Sequence, residues 1–145
     1  MSKKILALRK TVFALMFLMI MLSACRPKDL HDQILDFCRD HDTIILSDVT
    51  EFDWTVAYID RQHYMNGEGL KENFGIEGEF KSLPTDFSTR IAFCKDNILV
   101  YDLIINDFYF EIDSSLDTIA PDSKFLVEWA QIDESSDDKL SLILN

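Results

Sequence analysis

The sequence has few histidines and none of the common catalytic motifs. Its three histidines, His31, His41 and His63, form no H-x-x-x-H or H-E-x-x-H pair that could hold a metal ion. His41 lies between Asp40 and Asp42, an arrangement that is more typical of a solvated helix end than of a ligand set. No serine lies in a G-x-S-x-G sequence. We therefore expect no metal, no cofactor and no catalytic residue, although an enzyme with a site that no motif reveals stays an alternative.

The sequence also lacks an apolar run long enough for a comfortable bilayer-spanning helix, which needs about 20 residues. Its longest run, residues 12–22, has eleven apolar residues. It follows a start that carries Lys3, Lys4, Arg9 and Lys10 and no acid. A basic start, a short apolar run and then small residues are the pattern of a secretory signal peptide.

The apolar run ends in Leu22-Ser23-Ala24-Cys25, which resembles the lipobox of bacterial lipoproteins at all four positions. This resemblance implies cleavage before Cys25 and a diacylglyceryl thioether on its sulfur, and two or more acyl chains hold a protein stably on a membrane. The predicted organisation is a signal peptide over 1–24, a lipidated cysteine and tether over 25–28, and one domain over 29–145. The alternative is an ordinary anchoring helix with an incidental cysteine.

A lipoprotein leader places the domain outside the cytoplasm, on the cell membrane or the outer membrane. Arg26 follows the cysteine where an Asp would favour retention in an inner membrane, so an outer-membrane location is preferred if the host has two membranes. The tether is short, and we expect the domain to sit close to the lipid surface.

Basic residues are scarce once the leader is removed. The mature chain keeps all 26 acids but ten of the 14 bases, so its formal net charge changes from −12 to −16. Because phosphate binding depends on clustered Lys and Arg, this charge excludes nucleic acid as a partner. An acidic surface attracts a basic protein partner, or it serves solubility alone.

Only two cysteines remain after Cys25 is assigned to lipid, namely Cys38 and Cys94. An oxidising compartment would allow a disulfide between them. Both also lie in apolar stretches, so a pair of buried free thiols is an equal alternative.

The hydrophobic periodicity predicts an α+β domain of two layers, with a mostly antiparallel sheet of five to seven strands, one long helix and one short helix. The clearest feature is a hairpin over 90–105 with its turn at Lys95-Asp96-Asn97. The predicted helices are 28–40 and 68–74, and the other predicted strands are 43–49, 54–60, 108–112, 124–132 and 139–144. Residues 113–123 are expected to be a polar loop.

Phe52-Asp53-Trp54 before a strand, with the later strand pair 91–105, resembles a group of small exported bacterial proteins of uncharacterised role. This resemblance implies a fold over about residues 43–130 and supplies no activity.

The candidate interface residues are Arg61, His63 and Tyr64, because an arginine and aromatics near a loop suit protein contacts. The alternative is that Tyr64 packs onto the sheet as a staple, as Trp54 would serve as a core anchor. We expect a lipid-anchored, non-enzymatic module that binds another envelope protein or peptide. The alternatives are an inhibitor or immunity-type protein that uses an acidic face against a basic toxin or hydrolase, and a structural component of an envelope assembly.

Overall fold

The computed structural model describes residues 28–61, 67–84, 87–132 and 137–145. Within these ranges the chain is an α+β structure with two α-helices and eight strands. The elements in chain order are α1 (Leu30–Arg39), β1 (Thr43–Ile45), a 3₁₀ turn (Leu46–Asp48), β2 (Val56–Asp60), α2 (Glu68–Phe74), β3 (Ser88–Lys95), β4 (Ile98–Asn106), β5 (Phe110–Ile112), β6 (Thr118–Ile119), β7 (Lys124–Gln131) and β8 (Asp138–Leu144).

The strands form two four-stranded sheets. The first sheet has the order β1-β7-β8-β5, and the second has the order β4-β3-β2-β6. All pairings are antiparallel except that of β5 with β8, which is parallel and matches Phe110 with Leu140. The expected α+β class and antiparallel bias are therefore confirmed, whereas the single sheet of five to seven strands is wrong.

The hairpin that the sequence predicted is formed by β3 and β4, and it is the longest pairing between the described strands. Its turn residues Asp96 and Asn97 have φ values of 52° and 62°. Asp and Asn tolerate this left-handed region, and two such residues in succession match the twist of the flanking strands. The register then places Ile91 opposite Leu103 in the core.

Two hydrophobic clusters lie on opposite faces of β3. The larger, which we call the main cluster, takes Ile91 and Phe93 from this strand and includes side chains of α1 and of both sheets. The smaller, the second cluster, consists of Leu70, Ile76, Ala92 and Cys94. This split follows from the alternation of side chains along a strand, and it leaves β3 almost wholly buried.

The main cluster also explains α1. Leu30, Ile34 and Cys38 recur every four residues and are all buried. They form one apolar stripe, as amphipathic helices do. The helix is shorter than the predicted 28–40 because its last turn closes at Asp40, whose backbone N–H bonds the carbonyl of Phe37.

Three further expectations at element boundaries are wrong. The predicted strand over 43–49 ends at Ile45 and continues as the 3₁₀ turn. The predicted strand over 54–60 begins at Val56. The predicted polar loop over 113–123 contains β6, whose Ile119 is buried beside Ala57 of β2. A two-residue strand is too short to show a periodicity.

The predicted leader, residues 1–24, and Cys25 lie outside the described residues. Among the residues that are described, no helix has the length and apolar character needed to cross a membrane.

Candidate functional site

An open cleft of about 790 Å³ lies between α1 and the first sheet. Ligand pockets commonly span about 300–1,000 Å³. Helix α1 contributes every fourth residue from His31 to Arg39 to the lining of the cleft. This row of side chains runs beside the row of buried side chains on the same helix. The lining side chains are His31, Leu35, Arg39, Asn106, Tyr109, Trp129, Asp137 and Asp138.

Two aromatic rings line this cleft and remain open to solvent. Trp129 is 39% exposed and Tyr109 is 49% exposed. The indole N–H of Trp129 donates to the carbonyl of Cys38 at 3.1 Å, which fixes the ring against the end of α1. The polar group of Trp129 is therefore engaged within the chain, and its ring face is what it presents to a ligand.

Tyr109 stands on a tight turn, Asn106–Tyr109, which we call the aromatic turn. The side-chain oxygen of Asn106 accepts from the Phe108 N–H at 3.0 Å, and its carbonyl accepts from the Tyr109 N–H at 3.0 Å. The Tyr109 carbonyl in turn accepts from the Leu140 N–H at 2.9 Å. These bonds hold the turn on β8, so the aromatic side chains project from a fixed backbone.

A second aromatic pair extends this surface. Phe87 and Phe108 have ring centroids 4.7 Å apart and are 56% and 52% exposed. The Asp107 N–H donates to the Phe87 carbonyl at 2.9 Å, which ties the residue before β3 to the aromatic turn. Exposed, clustered aromatics on a rigid backbone are typical of interaction surfaces.

The cleft carries an excess of acidic side chains. Within the described part of the chain, no cation lies within 4.0 Å of the carboxylates of Asp137 or Asp138. Arg39, the one described arginine among the lining residues, is 3.8 Å from Asp36. His31 lies 3.3 Å from Asp32. The local charge therefore has the same sign as that of the whole chain.

A different charged group is fully enclosed. Arg90 on β3 is buried and lies 3.1 Å from Asp60 of β2 and 2.9 Å from Asp102 of β4. Its guanidinium also donates to the carbonyl of Lys81 and lies 5.2 Å from the Phe80 ring. The Lys81 N–H donates to Asp102 at 2.7 Å. This network holds the segment before β3 onto the sheet, and Arg90 itself is closed to solvent.

The sequence analysis missed Arg90. The available signal was that charged residues of both signs, Asp60, Arg90 and Asp102, stand directly beside apolar residues in three predicted strands. Charges of opposite sign at buried positions must be paired, and the register places Asp60 directly opposite Arg90.

Of the three candidate interface residues, the structure describes Arg61. Its guanidinium donates to the carbonyls of Leu116 at 2.7 Å, Asp113 at 2.8 Å and Ile112 at 3.3 Å. Arg61 thus stabilises the connection between β5 and β6. His63 and Tyr64 lie outside the described residues, as does Cys25, and the interface role of this set stays a prediction.

Cys38 and Cys94 are both free and buried. Cys38 belongs to the main cluster and Cys94 to the second cluster. The two cysteines are therefore free thiols in the structure, and they do not form a disulfide. Burial raises the pKa of each thiol to about 11, with the Asp102 charge adding to the shift at Cys94. Such thiols are poor nucleophiles at neutral pH.

Trp54 is a core residue, which was the alternative to an interface role. It is 7% exposed, its ring lies edge-on to Phe93 at 5.0 Å, and its N–H donates to Thr50 at 3.0 Å. His41 stacks on Phe37 with ring centroids 4.0 Å apart. Across the described residues, no group of three or more His, Cys, Asp or Glu side chains is placed to hold a metal ion.

Comparisons with protein-family models, with curated proteins and with solved structures give no match for this chain. The case for a function therefore depends on the leader pattern, the charge and the geometry of the cleft.

Proposed function

We propose that this protein is a lipid-anchored module of the cell envelope that binds another protein or peptide through the cleft and the aromatic turn. The observation that carries the binding role is a set of exposed aromatic side chains, in which Tyr109 and Trp129 line the cleft and Phe87 contacts Phe108 beside Tyr109 in the aromatic turn. Aromatic side chains of this kind supply most of the affinity of protein interfaces.

The lipid anchor rests on the Leu22-Ser23-Ala24-Cys25 pattern and on the apolar run before it. The described domain begins at Lys28, only three residues after Cys25. A chain spans at most about 3.6 Å per residue, so the tether reaches roughly 10 Å. The domain would therefore act on partners close to the membrane surface, on the cell membrane or on an outer membrane.

We also infer a two-layer arrangement, in which the two sheets face one another. This is supported by the main cluster, which takes Phe125 and Leu140 from the first sheet and Ile91 and Leu103 from the second.

An inhibitor or immunity-type role against a basic toxin or hydrolase is the second candidate. The formal net charge of −16 for the mature chain favours it, since acidic proteins associate fast with basic partners at low salt. The same cleft would bind the toxin or hydrolase. A structural component of an envelope assembly would use the same aromatic surface to contact its neighbours.

The anchor is tested by the Cys25→Ala variant. Metabolic labelling with a palmitate analogue should mark the wild-type protein and not the variant, and the variant should leave the membrane fraction. Labelling that persists in Cys25→Ala would rule out the lipid assignment.

The binding role is tested by co-purification from detergent extracts of the native host. We expect the double variant Phe108→Ser/Tyr109→Ser to lose the proteins that co-purify with the wild type. The matched control is Ile98→Ser/Val100→Ser, which removes apolar side chains that are 55% and 39% exposed. Ile98 lies eight residues from Asn106 along β4, which is roughly 26 Å at about 3.3 Å per residue. Equal recovery with both double variants would contradict the role of the aromatic turn.

A further inference from the structure

The cleft presents two kinds of group that bind organic cations. Exposed ring faces of Trp129 and Tyr109 line it, and the carboxylates of Asp137 and Asp138 lie at the start of β8 beside them. Rings attract Lys and Arg through their negative faces, and carboxylates do so through charge and hydrogen bonds. The two kinds of group within one cleft select for a positive side chain.

The charges around the cleft disfavour an anionic ligand. Arg39 is 3.8 Å from Asp36, so part of its charge is offset within the chain. Asp137 and Asp138 have no such partner in the described residues. A neutral ligand, such as a glycan, would stack on the rings and donate hydroxyl hydrogen bonds to these two carboxylates, but it would leave their charge uncompensated. Charge complementarity therefore favours a cationic partner.

The Phe87–Phe108 pair adds an apolar contact next to the charged part of the surface. Both rings are about half exposed, and the aromatic turn joins Phe108 directly to Tyr109. An apolar side chain of a ligand would cover these two rings. A ligand that spans both parts needs a cation and an apolar group within a few residues of each other.

We propose that the cleft binds a segment of a partner protein in which a lysine or arginine stands next to an apolar side chain. The cation lies between the carboxylates of Asp137 and Asp138 and the rings of Tyr109 and Trp129, and the apolar side chain packs on Phe87 and Phe108. This inference rests on the proposed binding role and adds to it the chemistry of the partner.

The experiment measures the fluorescence anisotropy of labelled peptides with the full chain in a non-ionic detergent. The probe is a peptide rich in glycine and serine that carries Lys-Leu pairs. Two matched peptides carry Glu-Leu pairs and Lys-Ser pairs in the same frame. We expect saturable binding of the Lys-Leu peptide, weaker binding of the Lys-Ser peptide and no binding of the Glu-Leu peptide.

The protein variants separate the site from the general charge. Asp137→Asn/Asp138→Asn should raise the Kd of the Lys-Leu peptide by about tenfold, which corresponds to about 1.4 kcal/mol. The control Asp96→Asn/Asp122→Asn removes the same charge at two exposed positions outside the cleft lining, and it should change the Kd by less than about twofold.

An equal loss of affinity for the Lys-Leu peptide in both double variants would overturn the inference, and so would binding of the Glu-Leu peptide. A wild-type protein that binds none of the three peptides would overturn it as well. The last result would leave the proposed binding role intact if the Phe108→Ser/Tyr109→Ser variant still lost its co-purifying proteins. The partner would then lack the cationic segment proposed here.

Discussion

Arg90 and Asp102 form an ion pair at 2.9 Å in which both side chains are almost fully buried. The pair joins adjacent strands β3 and β4, and Asp60 on the other neighbouring strand completes the network at 3.1 Å. Removing the arginine would leave two carboxylates without their cation in the interior. The network therefore constrains which strands can pair and in which register.

We predict that Arg90→Met lowers the free energy of unfolding by about 3–5 kcal/mol, the usual cost of leaving a buried charge unpaired. The matched control is Lys95→Met, which breaks the exposed ion pair with Asp53 and should cost less than about 1 kcal/mol. Urea titrations followed by circular dichroism measure both values. Similar values for the two variants would show that the Arg90 network is not a determinant of stability.

The hairpin turn gives a second prediction. Asn97 has φ of 62°, which costs a residue other than Gly, Asn or Asp about 1–2 kcal/mol. Asn97→Ala should therefore destabilise the domain by about that amount, whereas Asn97→Gly should be nearly neutral. Urea titrations of the two variants measure this difference in stability. An Ala variant as stable as the Gly variant would contradict the positive φ of Asn97.

The free thiols give a third prediction. With each thiol pKa at about 11 and an ordinary value of 9.0, the thiolate fraction of the native protein at pH 8 is about 100-fold below that of the unfolded chain. Iodoacetamide at pH 8 should therefore leave Cys38 and Cys94 unmodified until urea is added. Since the folded-state pKa is the higher one, this contribution to stability is complete below pH 9 and is lost as the pH rises toward 11.

The same iodoacetamide reaction in urea also tests whether Cys25 carries lipid, because it counts the free thiols. A lipidated chain should give two modified cysteines in urea, and a third would mean that Cys25 carries no lipid. Modification of either buried thiol in the native protein, at the rate seen in urea, would contradict their burial.

The start of α1 gives a fourth prediction. The Tyr101 hydroxyl donates to the Asp29 carboxylate, and this bond is the main reason that the pKa of Asp29 lies below its ordinary value. Because the folded-state pKa is the lower one, the Asp29 contribution is present above pH 3.8 and is lost as the pH falls through the folded-state pKa. Tyr101→Phe should therefore cost about 1 kcal/mol at pH 7 and less at pH 3, where part of the Asp29 contribution is already lost.

Urea titrations at the two pH values check the Tyr101→Phe effect. Tyr58→Phe is the control, because its ring packs on Phe74 and against the second cluster, whereas the buried side chains of α1 belong to the main cluster. A pH-independent effect of Tyr101→Phe would show that its ring packing matters and its hydroxyl bond does not.

Local patterns in the sequence predicted the hairpin, both helices and the last two strands to within about two residues. They did so because turn residues such as Asp96 and Asn97, and alternations such as Leu140 and Leu142, act over short distances along the chain. The separation into two sheets depends on the parallel pairing of Phe110 with Leu140, two residues far apart in the chain. No local pattern encodes such a contact.

The candidate site was not visible in the sequence for a related reason. Its cleft takes His31 from α1, Tyr109 from a turn and Trp129 from β7, and the fold alone brings them together. Phe125 and Trp129 lie four residues apart on the same face of β7, and Phe125 is fully buried whereas Trp129 is 39% exposed.

The central claim is that lipid attachment at Cys25 and the aromatic turn act together in one protein. The most direct test is photo-crosslinking in intact cells with benzoylphenylalanine in place of Tyr109, in chains with Cys25 and with Cys25→Ala, and with Ile98 as the control position. We expect a crosslinked partner from position 109 that is absent from position 98 and is lost in Cys25→Ala. Crosslinks of equal yield from both positions, or a position-109 crosslink unchanged by Cys25→Ala, would contradict it.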